Sequence, residues 1–293
     1  MKIALFGSRF HSEDSPILNN LIAKLQAGQV DICFESHFFE LLQPFTEITW
    51  PKDIQIWETL DQSFDLMITI GGDGTLLRAI KYLNELDVPV VGINTGRLGF
   101  LATIPKNLLD QSIDDILAQR FLISERCVLE ISSSNPITGL SQKEIALNEI
   151  TVSRKDTTAM IKVETILDNE YLTSYWADGL IIATPTGSTG YSLSCGGPIV
   201  MPQSNNLILT PIAPHNLSAR PLVIPDHLEV TLRVSSRTKQ YLVSLDSTVV
   251  SVETETVLKI KKSSRCVKMI ELPYEGFLPT LRKKLLWGKD KRN

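Results

Sequence analysis

The chain has 293 residues, 43% of them hydrophobic and 21% charged, with 16 glycines and 15 prolines. That balance excludes a disordered or low-complexity chain and a mini-protein that needs covalent staples. A formal charge of −4 argues against a nucleic-acid or anionic-membrane binder, since either would gain from a positive field.

Residues 2–6 predict a first strand, too short to serve as the core of a signal peptide, and no apolar run approaches the ~20 residues of a membrane helix. Ser15-Pro16 then supplies a helix cap and first turn, Ile17, Leu18, Leu21, Ile22 and Leu25 recur at helical spacing, and Gly28 stops the helix. Residues 31–35 read as a second, weaker strand and 64–70 as a third. Gly71-Gly72-Asp73-Gly74 follows, opening a helix from Thr75 with Leu76, Leu77, Ile80 and Leu83 on one face. Residues 88–93 form the next buried strand. This alternation predicts βα units and a parallel sheet. A further helix over 106–119 (Leu108, Leu109, Ile113, Ile116, Leu117) acts as a connector. From about Arg126 the texture turns β-branched and alternating, with strands expected at 127–131, 144–152, 160–167, 171–176, 180–184, 228–234, 241–245 and 257–261, and a hairpin turn at Asp168-Asn169-Glu170.

The fold class expected is therefore α/β: an amino-terminal Rossmann-like α/β domain over 1–104 and a carboxy-terminal all-β, sandwich-like domain over 105–272. The tail 273–293 carries Arg282, Lys283, Lys284, Lys289, Lys291 and Arg292 around Leu281, Leu285, Leu286 and Trp287. It is expected to dock back on the first domain as an amphipathic helix. Cys33, Cys127, Cys195 and Cys266 form no C-x-x-C pair, and His11, His37, His215 and His227 form no ligand pattern. Reduced thiols, a cytoplasmic location and no metal site from protein side chains alone are the corresponding expectations.

Three segments carry chemistry. The first is Gly71-Gly72-Asp73-Gly74-Thr75, where glycines admit phosphate oxygens to the backbone amides and the helix start favours an anion. Asp73 is itself an anion, so it suits a base or hydroxyl orienter better than a phosphate ligand. Taken alone, the turn is also what a tight bend with a capping Asp would look like. Neither a Walker lysine nor G-x-G-x-x-G is present. In the second segment, Thr184 to Gly197, seven hydroxyl-bearing residues and four glycines fall within fourteen positions. Such a loop lets a flat ligand approach the backbone, and Tyr191 can stack on a purine. The third is Asn148-Glu149, a polar pair interrupting a strand, able to read an adenine edge and a ribose diol.

Together with Asp178-Gly179, Thr184-Pro185-Thr186-Gly187-Ser188-Thr189-Gly190-Tyr191-Ser192-Leu193-Ser194, Gly196-Gly197-Pro198 and the run Pro214 to Leu222, these motifs resemble the family of ATP-dependent NAD kinases over most of the chain. The glycine turn is shared with lipid kinases and phosphofructokinases, whereas the Thr-Pro-Thr-Gly-Ser-Thr stretch is specific. The resemblance implies a site between the two domains, a homodimer or homotetramer, and NAD and ATP as substrates, the ATP carried with a divalent metal ion (Mg2+). It implies that Asp73 activates the 2′-hydroxyl of the adenosine ribose, with Gly74 and Arg78 close by. Asn148, Glu149 and Asp178 would bind NAD. Thr189, Gly190, Tyr191, Ser192, Leu193 and Ser194 would line the adenine pocket, and Gly71, Gly72, Gly74 and Thr75 would lie near the donor phosphates. Two departures stand out: Ser247-Thr248 where many relatives carry Gly-Gln, and Trp176 where some place a basic residue.

The activity expected is transfer of the γ-phosphoryl of ATP to that hydroxyl. A lipid or sugar kinase built on the same turn leaves the polar loop 186–194 without a purpose, and a non-catalytic dinucleotide sensor would bind NAD without consuming ATP.

Overall fold

A computed structural model describes residues 1–83, 86–140, 144–155 and 159–286. The chain divides into two compact units, Met1–Glu125 with Val267–Asn293, and Arg126–Cys266.

The first unit begins with β1 (Lys2–Gly7), α1 (Ser15–Ala27), β2 (Asp31–Glu35), α2 (Ser36–Leu42), β3 (Gln55–Trp57), β4 (Leu66–Ile70), α3 (Asp73–Ala79), β5 (Val90–Asn94), β6 (Ile104–Pro105) and α4 (Leu109–Leu117). Its strands run in the order β3-β2-β1-β4-β5, with β6 against β5, and every pairing is parallel. The near-continuous apolar runs of β1, β4 and β5 are buried throughout their middles, as a parallel sheet covered on both faces requires.

Three elements of this unit were not expected, among them β6, a two-residue pairing too short to read from a pattern. β3 is only three residues long, with Ile56 exposed, too short to show a period. α2 begins directly where β2 ends, because the Glu35 side chain turns back to accept from the Phe38 backbone N–H at 2.8 Å. The helix at 106–119 is more than a connector. Leu109, Ile113 and Ile116 of α4 share a core with Leu18, Leu21 and Leu25 of α1, and Lys24 pairs with Asp114 at 2.7 Å. That packing is why the first unit runs on to Glu125 rather than stopping at residue 104.

The second unit contains β7 (Leu122–Ser133, from Arg126 onward), β8 (Ile145–Ala146), β9 (Glu149–Arg154), β10 (Ile161–Leu167), β11 (Glu170–Ala177), β12 (Gly179–Ala183), the single helical turn α5 (Tyr191–Ser194), β13 (Asn206–Ile212), β14 (Leu222–Pro225), β15 (Val230–Ser235), β16 (Gln240–Leu245), β17 (Thr248–Glu253) and the start of β18 (Leu258–Glu271). One antiparallel sheet runs β14-β13-β12-β9-β16-β17. In the other, β10 lies between β11 and β15, and β15 pairs with Leu258 to Ile260 of β18. Both sheets bury side chains into one core, with Ile150, Leu180 and Val243 from the first meeting Val163 and Leu232 from the second. Alternation along β10 and β16 sets that face. Leu167 lies opposite Glu170, leaving Asp168 and Asn169 as the hairpin loop, with Asp168 at φ 51°.

The chain then returns to the first unit, where Met269 of β18 lies opposite Val90. α6 (Phe277–Leu285) buries Leu281, and before it the Tyr274 hydroxyl bonds the Ser112 hydroxyl at 3.0 Å. Trp287, Lys289, Lys291 and Arg292 lie outside the described residues. Among the described residues no helix is long and apolar enough to cross a membrane.

Candidate active site

In the first unit, the carboxyl end of β4 delivers the chain into the glycine turn, at the strand edge where open α/β sheets bind ligands. Gly71 sits at φ 146°, and a Cβ there would lie 2.4 Å from the Thr75 hydroxyl oxygen, so only glycine fits. At Gly72 and Gly74 an added Cβ would meet no protein atom within 4 Å. Those two positions open onto free space. Helix α3 starts at Asp73 itself, two residues earlier than expected, with Gly72 as its cap.

The Asp73 carboxylate is held by three successive backbone N–H groups: Phe100 donates to Oδ2 at 2.8 Å, and Leu101 and Ala102 donate to Oδ1 at 3.0 and 2.9 Å. An ionised carboxylate offers about four lone-pair sites. Oδ1 is therefore filled and Oδ2 keeps one acceptor site. The segment that supplies these donors leaves β5 through an Asn94 side-chain turn, with Asn94 Nδ2 on the Arg97 carbonyl at 2.8 Å and the Gly96 N–H on Asn94 Oδ1 at 2.9 Å. A Cβ on Gly99 would fall 1.8 Å from Asp73 Oδ1, so glycine is required there too. Nearby, Arg78 donates to the Ser8 hydroxyl at 2.8 Å, and Ser8 in turn meets the Thr75 hydroxyl at 3.0 Å. A cavity of about 450 Å³ lined by Ser8, Glu35, His37, Arg78, Lys81 and Tyr82 adjoins this network.

The second unit carries its own cluster. The strand expected over 144–152 breaks between β8 and β9, and Asp246 bridges the break by accepting from the N–H groups of Leu147, Asn148 and Glu149 at 2.8, 2.9 and 3.0 Å. The loop after β12 closes over the pair. The Thr184 hydroxyl bonds the Leu147 carbonyl at 2.6 Å, and a Cβ on Gly187 would lie 2.0 Å from the Asn148 carbonyl oxygen. At Gly190 a Cβ would stand 2.8 Å from Glu149 Oε2 and 3.5 Å from Asn148 Nδ2, so both side chains converge over that glycine. Asn148 Oδ1, Glu149 Oε2 and Thr186 Oγ1 are buried with no hydrogen-bond partner among the described residues. A polar ligand reaching this cluster would supply the partners these atoms lack. Burial, with the Asp246 charge beside it, pushes the Glu149 carboxyl up to about 8, partly offset by the Tyr191 N–H.

Of the other residues singled out, Tyr191 is half exposed, with desolvation as the main cause raising its hydroxyl. Ser192 is buried against Thr210 at 2.8 Å and supports the loop from within. Thr189 bonds the Thr186 carbonyl at 3.2 Å, while Leu193 is half-buried and Ser194 exposed. Asp178 pairs with Arg154 at 3.0 Å. Trp176, 51% exposed, lines a cavity of about 500 Å³ with Arg154, Lys162 and Arg237, so cationic groups flank the indole that stands at the departing position. Neither the Gly99–Ala102 cradle nor Asp246 was singled out from the sequence. Paired glycines directly after a buried strand, Gly96 and Gly99, were the available signal for the first.

Comparison with known proteins decides the family. Residues 34–121 match the model of the ATP-NAD kinase N-terminal domain and residues 147–272 that of the C-terminal domain. The chain belongs to the NAD kinase family. It is similar to the NAD kinase of Flavobacterium johnsoniae, 52% identical over the whole of both chains. Among solved structures it resembles the yeast NADH kinase complexed with NADH, with a TM-score of 0.84 at 21% identity over 99% of this chain and 88% of that one. It also resembles an NAD kinase from Archaeoglobus fulgidus in complex with ATP, with a TM-score of 0.70 at 25% identity over 93% and 94%.

Proposed function

We infer that the protein transfers the γ-phosphoryl group of ATP to the 2′-hydroxyl of the adenosine ribose of NAD, giving NADP. The observation that carries this reading is the Asp73 carboxylate, fixed by three N–H donors with a single acceptor site left on Oδ2. A ribose hydroxyl is a poor nucleophile near neutral pH. Its O–H donates to Oδ2, the proton moves to the carboxylate as the new P–O bond forms, and ADP leaves with the electron pair of the broken bond. Because the donors leave the carboxylate one direction in which to accept, the attacking oxygen is oriented before reaction.

NAD is held by Asn148, Glu149 and Asp178, the unpartnered oxygens of the first two receiving donors from the dinucleotide. Tyr191 stacks on its adenine, and the loop 189–194 supports that contact. Gly72 and Gly74, open to solvent, admit the donor phosphates to the backbone, and Arg78 and Lys81, which line the adjoining cavity, supply positive charge. A divalent metal ion would enter on the phosphates and neutralise their charge. Among the described residues no cluster of His, Cys, Asp and Glu forms a cage of its own, so the phosphate oxygens would be its main ligands. None of the four cysteines is joined in a disulfide among the described residues, which suits the cytoplasm as its place of action. Assembly as a homodimer or homotetramer is part of the same proposal and is read by light scattering.

The experiment is incubation of purified protein with NAD, ATP and Mg2+, followed by detection of NADP. Asp73→Asn should lower kcat by ~10²- to 10⁴-fold with the fold intact. Binding of NAD without turnover would leave a sensor, and phosphorylation of a lipid or hexose phosphate in place of NAD would overturn the acceptor.

A further inference from the structure

The base is held by the backbone of Phe100, and the Phe100 side chain is held in turn by the carboxy-terminal helix. Its ring lies 6.3 Å from the Phe277 ring, centroid to centroid and inclined at 38°, and the Lys284 ammonium sits 4.7 Å from the ring centroid. Phe277 and Lys284 are the first residue and the next-to-last residue of α6, so one helix grips Phe100 from both of its ends. The Phe100 N–H is the one donor on Asp73 Oδ2, the oxygen that keeps an acceptor site. Leu101 and Ala102 bond the other oxygen.

We propose that α6 is a positioning element for phosphoryl transfer: Phe277 and Lys284 pin Phe100, and through its N–H they set the direction in which Asp73 Oδ2 receives the acceptor proton. This rests on the reading of Asp73 as the base. The role is distinct from covering the core, which falls to Leu281 on the same helix. Aromatic and cation–π contacts of this kind are modest one by one, and they matter here because they act on an oxygen that must be held to a fraction of an ångström.

The test is a kinetic series in the full chain: Phe277→Ala, Lys284→Gln, Lys284→Arg, Phe100→Ala and the double variant Phe100→Ala/Phe277→Ala, beside Asp73→Asn, each with its melting temperature. Phe277→Ala and Lys284→Gln should each lower kcat roughly 3- to 10-fold while KM for NAD and for ATP stays put. Lys284→Arg, which keeps the cation, should restore kcat. In the Phe100→Ala background the Phe277 substitution should have no further effect. An unchanged kcat in Lys284→Gln, a loss that appears only in KM, or a Phe277 effect undiminished without the Phe100 ring overturns the proposal. Should Phe277→Ala fail to fold, the surface pair Lys284→Gln and Lys284→Arg decides alone. An Asp73→Asn variant with full turnover would sink the reading of the base itself, whereas an inactive Asp73→Asn beside unaffected helix variants sinks only the role of α6.

Discussion

Asp73 and Glu149 are the carboxylates of the proposed chemistry, one in each unit, and their surroundings prepare them for opposite roles. Asp73 is met by three donors before any ligand arrives. Glu149 is half-buried with its Oε2 enclosed and unpartnered, and this desolvation together with the charge of Asp246 pushes its carboxyl up to about 8. In the unfolded chain a glutamate ionises near 4.5. Between those values the folded protein must hold a proton that the unfolded chain has released, so this residue costs stability progressively from pH 4.5 to 8 and by a constant amount above. Glu149→Gln should melt at the same temperature as the parent at pH 4 and higher than it at pH 8. NAD binding should show the reverse preference. Hydroxyl donors of the ligand favour the ionised carboxyl, so binding releases a proton and affinity climbs with pH, by up to ~10-fold per unit, until about 8. Titration calorimetry in two buffers of different ionisation enthalpy counts that proton, and a count of zero would remove Glu149 from the ligand. Gly99 gives a second residue-level test. An alanine methyl would overlap Asp73 Oδ1, and a displacement of about 1 Å at a reacting group can cost ~10²-fold. Gly99→Ala should thus lose kcat on that order with little change in KM for either substrate.

At the level of elements, both units use the same device, an Asp side chain that accepts from three consecutive N–H groups where regular pairing stops. Around Asp246 the device closes the gap between β8 and β9 and so positions Asn148 and Glu149. Asp246→Ala would leave three part-buried donors without their acceptor. A loss of about 2–3 kcal/mol, read by denaturant unfolding, is expected, together with weaker NAD binding. The paired elements themselves were legible in the sequence where one period persisted over several residues. Alternation announced β10, β11 and β16, and continuous apolar runs announced β1, β4 and β5. β13 and β14 escaped because Pro211 and Pro225 interrupt the apolar runs; Pro225 stands on the edge strand β14, and Pro211 lies past the stretch of β13 that β14 pairs, where a proline costs no bond to that neighbour. The site was legible to the same extent. Gly71 and Asp73 stand in one contiguous motif, whereas the Gly99–Ala102 cradle and Asp246 act from 26 and 97 or more residues away, a distance that no local spacing reports.

On the scale of the whole molecule, the residues of the proposed chemistry are split between the units, with Asp73, its cradle and Arg78 in the first and Asn148, Glu149 and Asp178 in the second. Binding and chemistry should therefore separate in a measurement that reads the entire fold. A ligand that binds only the native state stabilises it by mass action, about 2.7 kcal/mol at a hundred times Kd, which for a chain of this size raises Tm by roughly 5 °C or more. Parent protein with saturating NAD should show that rise without any ATP. Asp73→Asn should keep most of it, since the second unit's residues are untouched, although its turnover falls by ~10²- to 10⁴-fold. Glu149→Ala should lose most of the rise while Asp73 stays in its cradle, and its kcat at NAD concentrations high enough to saturate should remain within about tenfold of the parent, because only binding shared by ground and transition states has been removed. A Glu149→Ala protein with the full NAD-dependent rise in Tm, or an Asp73→Asn protein with none of it, would mean that the division of labour between the two units is drawn in the wrong place.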